Sequence, residues 1–395
     1  MKPMRCIRYY IILGFWFNCF TCFSGYTKEI THERLELIHA DEFNQKVING
    51  KVIRKLKGDV YFRQGNAHLF CYGATWFIDE ERVLLETDVK IDDGEKVLTA
   101  DFVTYYGKLQ QEEAHGNVKI VDSVRTLEAD QVVFFEIEDK AVADRNVKIV
   151  DTENQFILTG GHSEYFRSND SVIVTINPVL VQTDSVGAED LRITGNVMTL
   201  TQNGERAWVT DNVIITKDST EARCGEAEYL RQSNKVILLD NPRVWQKDQH
   251  LQGDTIEIYS NNQQIEQVHV LGNAVVISDV DSLVLAGHQD RLSGQKMTIY
   301  INQNEIEKII IEDQATSWYH IIEDDQYKGL NKVMGDKLSL FLSEGEIKRI
   351  VIESEPGVSS GVFYPPGKEQ YSIPESGKDL GKQAANRIPA KGKSL

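Results

Sequence analysis

Proline and cysteine are scarce in this chain, which has 8 prolines and 5 cysteines among its 395 residues. Scarce proline favours β-strands, because proline removes a donor from the backbone ladder. Cys6, Cys19 and Cys22 lie near the N-terminus, so only Cys71 and Cys224 remain in the main part of the chain. Those two are about five units apart in the array described below, which is too far for a disulfide at about 4.8 Å per stacked strand. We interpret them as small core residues.

Basic residues are also in deficit, with 43 Lys and Arg against 60 Asp and Glu and a net charge of −17. This balance excludes a nucleic-acid partner, which would require basic patches. It also argues against docking of the array on anionic lipid head groups. No segment beyond the N-terminal leader is apolar enough to span a bilayer. The composition, 41% hydrophobic and 26% charged, nevertheless indicates a globular chain.

Catalytic motifs are missing as well. The sequence has no Gly-rich phosphate loop, no GxSxG elbow and no HExxH or CxxC pair. The histidines fall mostly at turns and lack metal-ligand spacing; examples are His115, His162, His269 and His288. Four recurrent aspartates are interpreted as structural, because an Asp at a corner bonds nearby backbone N–H groups; they are Asp101, Asp130, Asp254 and Asp336. The sequence therefore predicts no enzyme, no metal site and no cofactor.

What the chain does have is a motif of about 29 residues that repeats along most of its length. Its first half joins a Gly, Asn or Asp turn, which tolerates positive φ, to an apolar-x-apolar strand with period 2. Copies begin at Gly58, Thr87, Gly116, Arg145, Gly195, Asp211, Asn241 and Gly272. Such an array predicts a stacked β-structure in which each unit covers the apolar face of its neighbour.

The second half of the repeat changes the parity of its apolar residues. Leu98 and Ala100 share one parity, whereas Val103 and Tyr105 share the other. A flat strand cannot bury both pairs on one face, so the small residue and the Asp between them predict a bulge or corner. The change of parity is expected at Ala100-Asp101, Ala129-Asp130 and Gly253-Asp254. Each repeat is expected to give three short strands around a sharp bend.

Two regions depart from this regularity. The array is interrupted between about Asn177 and Thr220, and the units between the turns at Pro178 and Pro242 look compressed. The segment Ser278 to Leu283 looks like a hairpin insertion. Helical periodicity is nearly absent, and the one weak candidate is Asp41 to Lys55.

The two termini differ from the array. Basic residues, an apolar run and small residues at Cys22 and Ser24 predict a secretory signal peptide at residues 1–24. An uncleaved anchor and a lipoprotein signal ending at Cys22 remain alternatives. Residues 25–355 are expected to form the array. Residues 356–395, rich in Lys, Pro and Gly, are expected to form a disordered tail.

The Gly-Asn-Val-x-Ile turn strands, together with Leu-x-Ala-Asp-x-Val-x-Tyr, resemble the OstA-like (organic solvent tolerance) family. The resemblance runs from about Leu35 to Ile352 and is clearest from Gly116 to Phe134. It implies an all-β fold, an elongated stacked antiparallel β-jellyroll with an open apolar groove. It also implies a periplasmic carrier, associated with the outer membrane, that shields the lipid A acyl chains of lipopolysaccharide during transport.

The inward residues of the repeat are the expected lining of that groove. They are Val60, Phe62, Val89, Ile91, Val103, Tyr105, Val118, Ile120, Val132, Phe134, Val147 and Ile149. Each buried acyl methylene contributes about 0.8 kcal/mol, so a dozen contribute roughly 10 kcal/mol before the cost of ordering. In a closed stack the same residues would fill a core, and the pattern alone leaves both arrangements open.

The ends of an open stack carry unpaired backbone groups, here near Val60 and the strand Leu338 to Leu340. The expected partners are other β-jellyroll transport components that add an edge strand, or further copies in a head-to-tail homo-oligomer. Segments before Leu35 and after Glu355 folding over the ends as caps are the alternative. Two other functions stay open from the residues alone: a surface or periplasmic adhesive β-solenoid, and a β-helical enzyme acting on polysaccharide.

Overall fold

The computed structural model describes residues 35–368 except 153–154, 170, 184–186, 202–205, 248, 262–263, 281–284, 286, 304, 324–325 and 344–345. The predicted signal peptide and the end of the predicted tail lie outside these residues.

The described chain forms one antiparallel sheet of 26 strands. The strands are β1 (Glu36–His39), β2 (Glu42–Ile48), β3 (Lys51–Gln64), β4 (Ala67–Phe77), β5 (Arg82–Asp92), β6 (Val97–Tyr106), β7 (Gln111–Val121), β8 (Arg125–Phe135), β9 (Lys140–Asp151), β10 (Phe156–Phe166), β11 (Ser171–Thr175), β12 (Val179–Thr183), β13 (Glu189–Thr194), β14 (Val197–Thr201), β15 (Arg206–Lys217), β16 (Thr220–Leu230), β17 (Lys235–Leu239), β18 (Arg243–Gln246), β19 (Gln249–Gln252), β20 (Thr255–Asn261), β21 (Gln264–Asp279), β22 (Gln289–Asn302), β23 (Glu305–Glu323), β24 (Gln326–Ser343), β25 (Glu346–Glu353) and β26 (Ser360–Tyr364). Three 3-10 turns lie at Ile78–Glu80, Arg167–Asn169 and Arg231–Ser233.

Most strands bend in the middle, and the two arms of a bent strand belong to two different walls of the sheet. The first wall runs from β2 through arms such as 82–86 of β5, 102–106 of β6 and 111–115 of β7 to β25. The second wall runs from β1 through the other arms of the same strands to β26. Among the described residues the strands pair only within a wall, so the two walls are connected through the bends of the chain.

One kind of bend follows the Gly, Asn or Asp turns. Two consecutive residues there have positive φ, from 39° at Asp59 to 77° at Gly58. The nine pairs are Gly58-Asp59, Thr87-Asp88, Gly116-Asn117, Arg145-Asn146, Ile176-Asn177, Asp211-Asn212, Asp240-Asn241, Gly272-Asn273 and Asp313-Gln314. Each pair interrupts the ladder of backbone hydrogen bonds. The parity of the inward-facing side chains therefore changes from one side of the bend to the other.

The other kind of bend lies at the small residue and Asp of the second half of the repeat. The register of β6 with β7 shifts between Thr99 and Phe102, and that of β8 with β9 between Glu128 and Gln131. The predicted changes of parity at Ala100-Asp101 and Ala129-Asp130 are thereby confirmed. At Gly253 a Cβ atom would collide with Val270 of the neighbouring strand, which explains why glycine stands there.

The sheet is open along the side opposite the bends. Hairpin turns alternate between the free edges of the two walls, as in the turn 107–110 of the first wall and the turn 93–96 of the second. No strand pairing in the described part of the chain links one free edge to the other. The molecule is thus an elongated, folded stack with an apolar groove between its walls, as the sequence predicted.

The repeat differs from the prediction in the form of its strands. Each repeat gives two long bent strands, such as β5 and β6, and not three short ones. The weak helical candidate Asp41 to Lys55 is wrong, because this segment is the hairpin of β2 and β3. Its turn, Asn49-Gly50, has positive φ at both residues, as a two-residue hairpin turn requires.

Two predictions for the irregular region, the turn strand at Gly195 and the compressed units, were also wrong. Gly195 does not begin a turn strand. Gly195-Asn196 instead forms a bend of the second kind, and the Asn196 amide donates to the carbonyls of Thr210 and Asp211, both at 3.0 Å. The units there are not compressed, since the bends at Asn177, Asn212 and Asn241 lie 35 and 29 residues apart. Of the expected hairpin insertion, 278–279 end β21 and 281–283 lie outside the described residues.

The two ends of the stack lie further out than predicted. Val60 is covered by β1, and Leu338 to Leu340 pair with β25. Part of the expected disordered tail is ordered, because β26 pairs with β24 and completes the second wall. The outermost strands are therefore β1 and β2 at one end and β25 and β26 at the other.

Candidate functional site

The candidate site is the inner groove, the space between the facing surfaces of the two walls. Three rows of inward residues line each wall: a corner row beside the bends, a middle row two residues further along, and a rim row at the free edge. The twelve predicted lining residues all lie on these inward faces, in the corner and middle rows. Eight come from the second wall, and Val103, Tyr105, Val132 and Phe134 come from the first.

The groove is closed near the bends and becomes more accessible in the middle row of the first wall. Corner-row residues such as Val118 and Val132 are each 1% exposed and pack in the core between the walls. Middle-row aromatic residues of the first wall are partly exposed, among them Trp76, Tyr105 and Phe134. Ten of the twelve predicted residues are fully buried. The corner rows and the middle row of the second wall therefore form the core, whereas the middle row of the first wall supplies the accessible apolar surface.

The rim row of the second wall is charged along β5 to β9, which the sequence analysis did not identify. It contains Asp93, Lys96, Asp122, Arg125 and Asp151, which continue the alternation of apolar middle-row residues. Asp93 Oδ1 accepts hydrogen bonds from the backbone amides of Glu95 and Lys96. One repeat later, Asp122 Oδ1 accepts hydrogen bonds from the backbone amides of Val124 and Arg125. The offset of 29 residues was the signal that could have found this row, because it superimposes Lys96 on Arg125.

Two cations of this rim row are held below the surface. Arg125 Nε donates to Asp151 Oδ2 at 2.9 Å, with side chains that are 2% and 0% exposed. Lys96 is 6% exposed, and burial lowers the pKa of its ammonium group to about 8 against the opposing effect of Asp122 and Asp93. Charge thus stands at the mouth of an apolar groove, an arrangement complementary to an amphiphile.

The first wall carries one acid inside the apolar part of the groove. Glu112 occupies the middle row, where its strand neighbours are Tyr105 and Phe134. Its Oε1 atom is buried and has no hydrogen-bond partner. Burial, and to a smaller extent the like charge of Glu136, raise the pKa of Glu112 to about 8. The carboxyl is therefore largely protonated at neutral pH.

The remaining candidate residues have structural surroundings. Asp101, Asp130 and Asp254 accept bonds from the Asn side chain of the next bend, at 3.0 to 3.1 Å, instead of the expected backbone amides. Asp336 does accept a backbone bond, from Glu355 at 3.1 Å. The described residues contain no group of three His, Cys, Asp or Glu side chains placed to hold a metal ion.

Cys71 and Cys224 are small buried residues that do not form a disulfide, as predicted. Both are free and buried, in β4 and β16, ten strands apart along the second wall. Burial raises the pKa of each thiol to about 11, so neither is a reactive thiolate at neutral pH. No helix in the described part of the chain has the length and apolar character that a membrane span requires.

The fold and the groove define a class, a stacked antiparallel β-jellyroll built from repeats, with an apolar interior and a charged rim. Residues 32–188 match the model of the family described as OstA-like protein, so the resemblance to that family is confirmed. No curated protein matches the chain.

One similar solved structure is the crystal structure of LptH, described as the LptA homologous periplasmic component of the conserved lipopolysaccharide transport device from Pseudomonas aeruginosa. The match is 15% identical, covers 37% of this chain and 95% of that chain, and has a TM-score of 0.28. A likeness at that TM-score supports no further structural conclusion.

Proposed function

We propose that this protein is a periplasmic carrier that holds the acyl chains of lipopolysaccharide in the inner groove during transport towards the outer membrane. The match to the OstA-like family supports this proposal, because the resemblance implies a bridge for lipopolysaccharide. No catalytic step is part of the proposal.

The observation that carries the proposal is the order of the three rows. The corner and middle rows are almost entirely apolar, whereas the rim row of the second wall holds Lys96, Arg125 and three carboxylates. An amphiphile in the groove would bury its acyl chains between the walls and leave its polar head at the rim. Each buried methylene contributes about 0.8 kcal/mol, so the groove favours long acyl chains.

The repeat supports transport as well as binding. Bends at Asp59, Asp88, Asn117 and Asn146 lie 29 residues apart, and the corner rows beside them hold valines in equivalent places. Equivalent sites along the stack have similar affinities, so a lipid can move from one to the next over small barriers. A single deep pocket would instead retain its ligand.

Photocrosslinking to purified lipopolysaccharide tests the proposal with a matched pair of positions. Tyr229 faces the groove from the middle row, and Trp208 lies on the neighbouring strand with its side chain on the opposite face. Each side chain is 37% exposed, so accessibility does not distinguish them. A benzoylphenylalanine at position 229 is expected to crosslink to lipopolysaccharide, and one at position 208 is not.

Phe134 provides a second groove position, in another part of the stack, for the same reagent. Equal crosslinking from positions 208 and 229, or none from 229 and 134, would contradict the proposal. Aspartate at Val118 and Ile120 is a poorer test, because these residues are 1% and 5% exposed and the change would unfold the protein.

We also propose the partners and the location that the resemblance implies. The partners are other β-jellyroll components of lipopolysaccharide transport, or further copies of this chain, which add strands at the ends of the stack. The location is the periplasm, reached through the predicted signal peptide. The limit between signal peptide and array at residue 24 remains part of this proposal, whereas the array extends beyond residue 355, because β26 belongs to the stack.

A further inference from the structure

Glu112 is an acidic residue at a position of the middle row that is apolar in the neighbouring repeats. The equivalent positions one repeat before and one repeat after are Val83 and Ala141, both apolar. A repeat that needed only a stable interior would place an apolar residue here, because a buried polar group without a partner is unfavourable. The acid is therefore unexplained by the packing of the stack.

The side chain of Glu112 lies at the accessible level of the groove. Its neighbours in the first wall are the partly exposed rings of Tyr105 and Phe134. The residue is itself only partly covered, while its Oε1 atom is shielded from water and has no hydrogen-bond partner. A ligand chain lying along the middle row would pass this atom.

A protonated carboxyl can both donate and accept a hydrogen bond. Its best complement is a group with the same two capacities, such as a hydroxyl or an amide. Cations are less suitable, because the strand neighbours of Glu112 are the rings of Tyr105 and Phe134 and its carboxyl is protonated at neutral pH. A bare hydrocarbon chain would leave Oε1 unsatisfied.

We propose that Glu112 is a specificity-determining residue that exchanges hydrogen bonds with a hydroxyl or an amide carried on the acyl part of the bound lipid. This inference rests on the proposed function and narrows its ligand to amphiphiles with a polar group among their acyl carbons. Hydroxylated or amide-linked chains belong to this class, and plain fatty esters do not.

Two uncharged probes test the inference, 3-hydroxytetradecanoyl glycerol and tetradecanoyl glycerol, which differ in one hydroxyl. The dissociation constants are measured by calorimetry on the full chain at pH 7. The unaltered protein is expected to bind the hydroxylated probe about five- to tenfold more tightly, which corresponds to one net hydrogen bond. Glu112→Gln is expected to keep this preference, because the amide has the same shape and both hydrogen-bonding capacities.

Glu112→Leu is expected to bind both probes equally and to hold the plain probe at least as tightly as the unaltered protein does. Glu113→Leu is the matched control, since Glu113 lies on the opposite face of the same strand. That variant should keep the five- to tenfold preference, because it leaves the groove unchanged. Circular dichroism checks that each variant is folded.

The outcomes separate this inference from the proposed function. Equal binding of both probes by the unaltered protein, or a preference that survives in Glu112→Leu, would overturn the role of Glu112 and leave the carrier intact. Failure of the unaltered protein to bind either probe, together with failure to crosslink lipopolysaccharide at position 229, would overturn both.

Discussion

At the scale of single residues, Glu112 makes the stability of the protein depend on pH. Its carboxyl is protonated in the folded chain up to about pH 8, whereas an unfolded chain ionises this group near its ordinary value of 4.5. Between those values the folded state binds more protons, so the free energy of unfolding falls as the pH rises. The stabilising contribution is complete below the ordinary value and is lost by about pH 8.

We expect Glu112→Gln to remove this part of the pH dependence. At pH 8 the variant should be more stable than the unaltered protein by up to about 4 kcal/mol, because burial opposes ionisation of the Glu112 carboxyl in the folded chain until about pH 8. The difference should shrink towards zero near pH 4.5. Urea unfolding followed by circular dichroism at several pH values measures it, and parallel curves for the two proteins would contradict the expectation.

The buried pair Arg125–Asp151 gives a second prediction at this scale. Asp151→Ala leaves a buried guanidinium without its partner and should lower the free energy of unfolding by about 3–5 kcal/mol. Replacing both residues, Arg125→Met with Asp151→Leu, should cost far less, because no charge is left buried.

An exposed pair with the same 2.9 Å separation is the control for that measurement. Arg63 and Glu36 have side chains that are 51% and 57% exposed, so Glu36→Ala should cost less than about 1 kcal/mol. A loss in Asp151→Ala no larger than that in Glu36→Ala would show that the rim pair is solvated in solution.

The inward residues were predictable from the sequence, whereas the polar members of the groove were not. Parity alone placed Val118 and Val103 on inward faces, since side chains alternate along a strand. It could not separate the buried rows from the accessible middle row of the first wall, because exposure depends on how far apart the walls stand. Glu112 and Arg125 were missed because the search for alternation followed apolar residues only.

At the scale of strands, the bends decide the fold. Gly116 has φ +75°, and a Cβ atom there would also collide with the Asp101 carboxylate of the neighbouring strand. Gly94 has φ +90° with no atom within 4 Å of the Cβ position. Comparing alanine at the two sites therefore separates the cost of the backbone conformation from the cost of the contact.

We expect Gly94→Ala to lower the free energy of unfolding by about 1–2 kcal/mol, the cost of a left-handed conformation for a residue with a Cβ atom. Gly116→Ala should cost at least about 1 kcal/mol more, because Asp101 must move as well. Thermal and urea unfolding of both variants measure the difference. Equal losses would mean that the Asp101 carboxylate shifts freely and does not fix the bend.

The bends also show where sequence reasoning about the elements succeeds and fails. Turns with Gly-Asn or Asp-Asn were recognised because few residues tolerate positive φ. Asp313-Gln314 was missed, since the strand after it begins with Ala, Thr and Ser and lacks the apolar alternation. Gly195 was misassigned because glycine serves both kinds of bend, for φ in one and for close packing in the other.

At the scale of the whole molecule, the outermost strands determine assembly. β25 and β26 each pair on one side only in the described structure, and they carry exposed apolar residues. Ile352 is 43% exposed and Phe363 is 53% exposed. Edges of this kind favour the addition of another strand.

We expect the average mass of the protein in light scattering to rise with concentration. The double variant Ile352→Lys with Phe363→Lys should remain smaller at every concentration, because lysine on an edge strand opposes pairing. Ile137→Lys is the control, since Ile137 is 70% exposed but lies in a hairpin turn away from the ends. A protein that stays monomeric throughout, or a double variant that assembles normally, would contradict this view of the ends.

The bends that join the two walls have a consequence for the length of the molecule. In the described structure every strand arm pairs only with its neighbours in one wall. The chain on one side of a bend can therefore be joined to the chain on the other side of the next equivalent bend. Joining Gly116 to Asn146 would remove one repeat and shorten the stack by two strand spacings, roughly 10 Å. The number of repeats therefore sets the length of the molecule. Duplication or loss of one repeat changes the distance that the protein spans, while its cross-section stays the same.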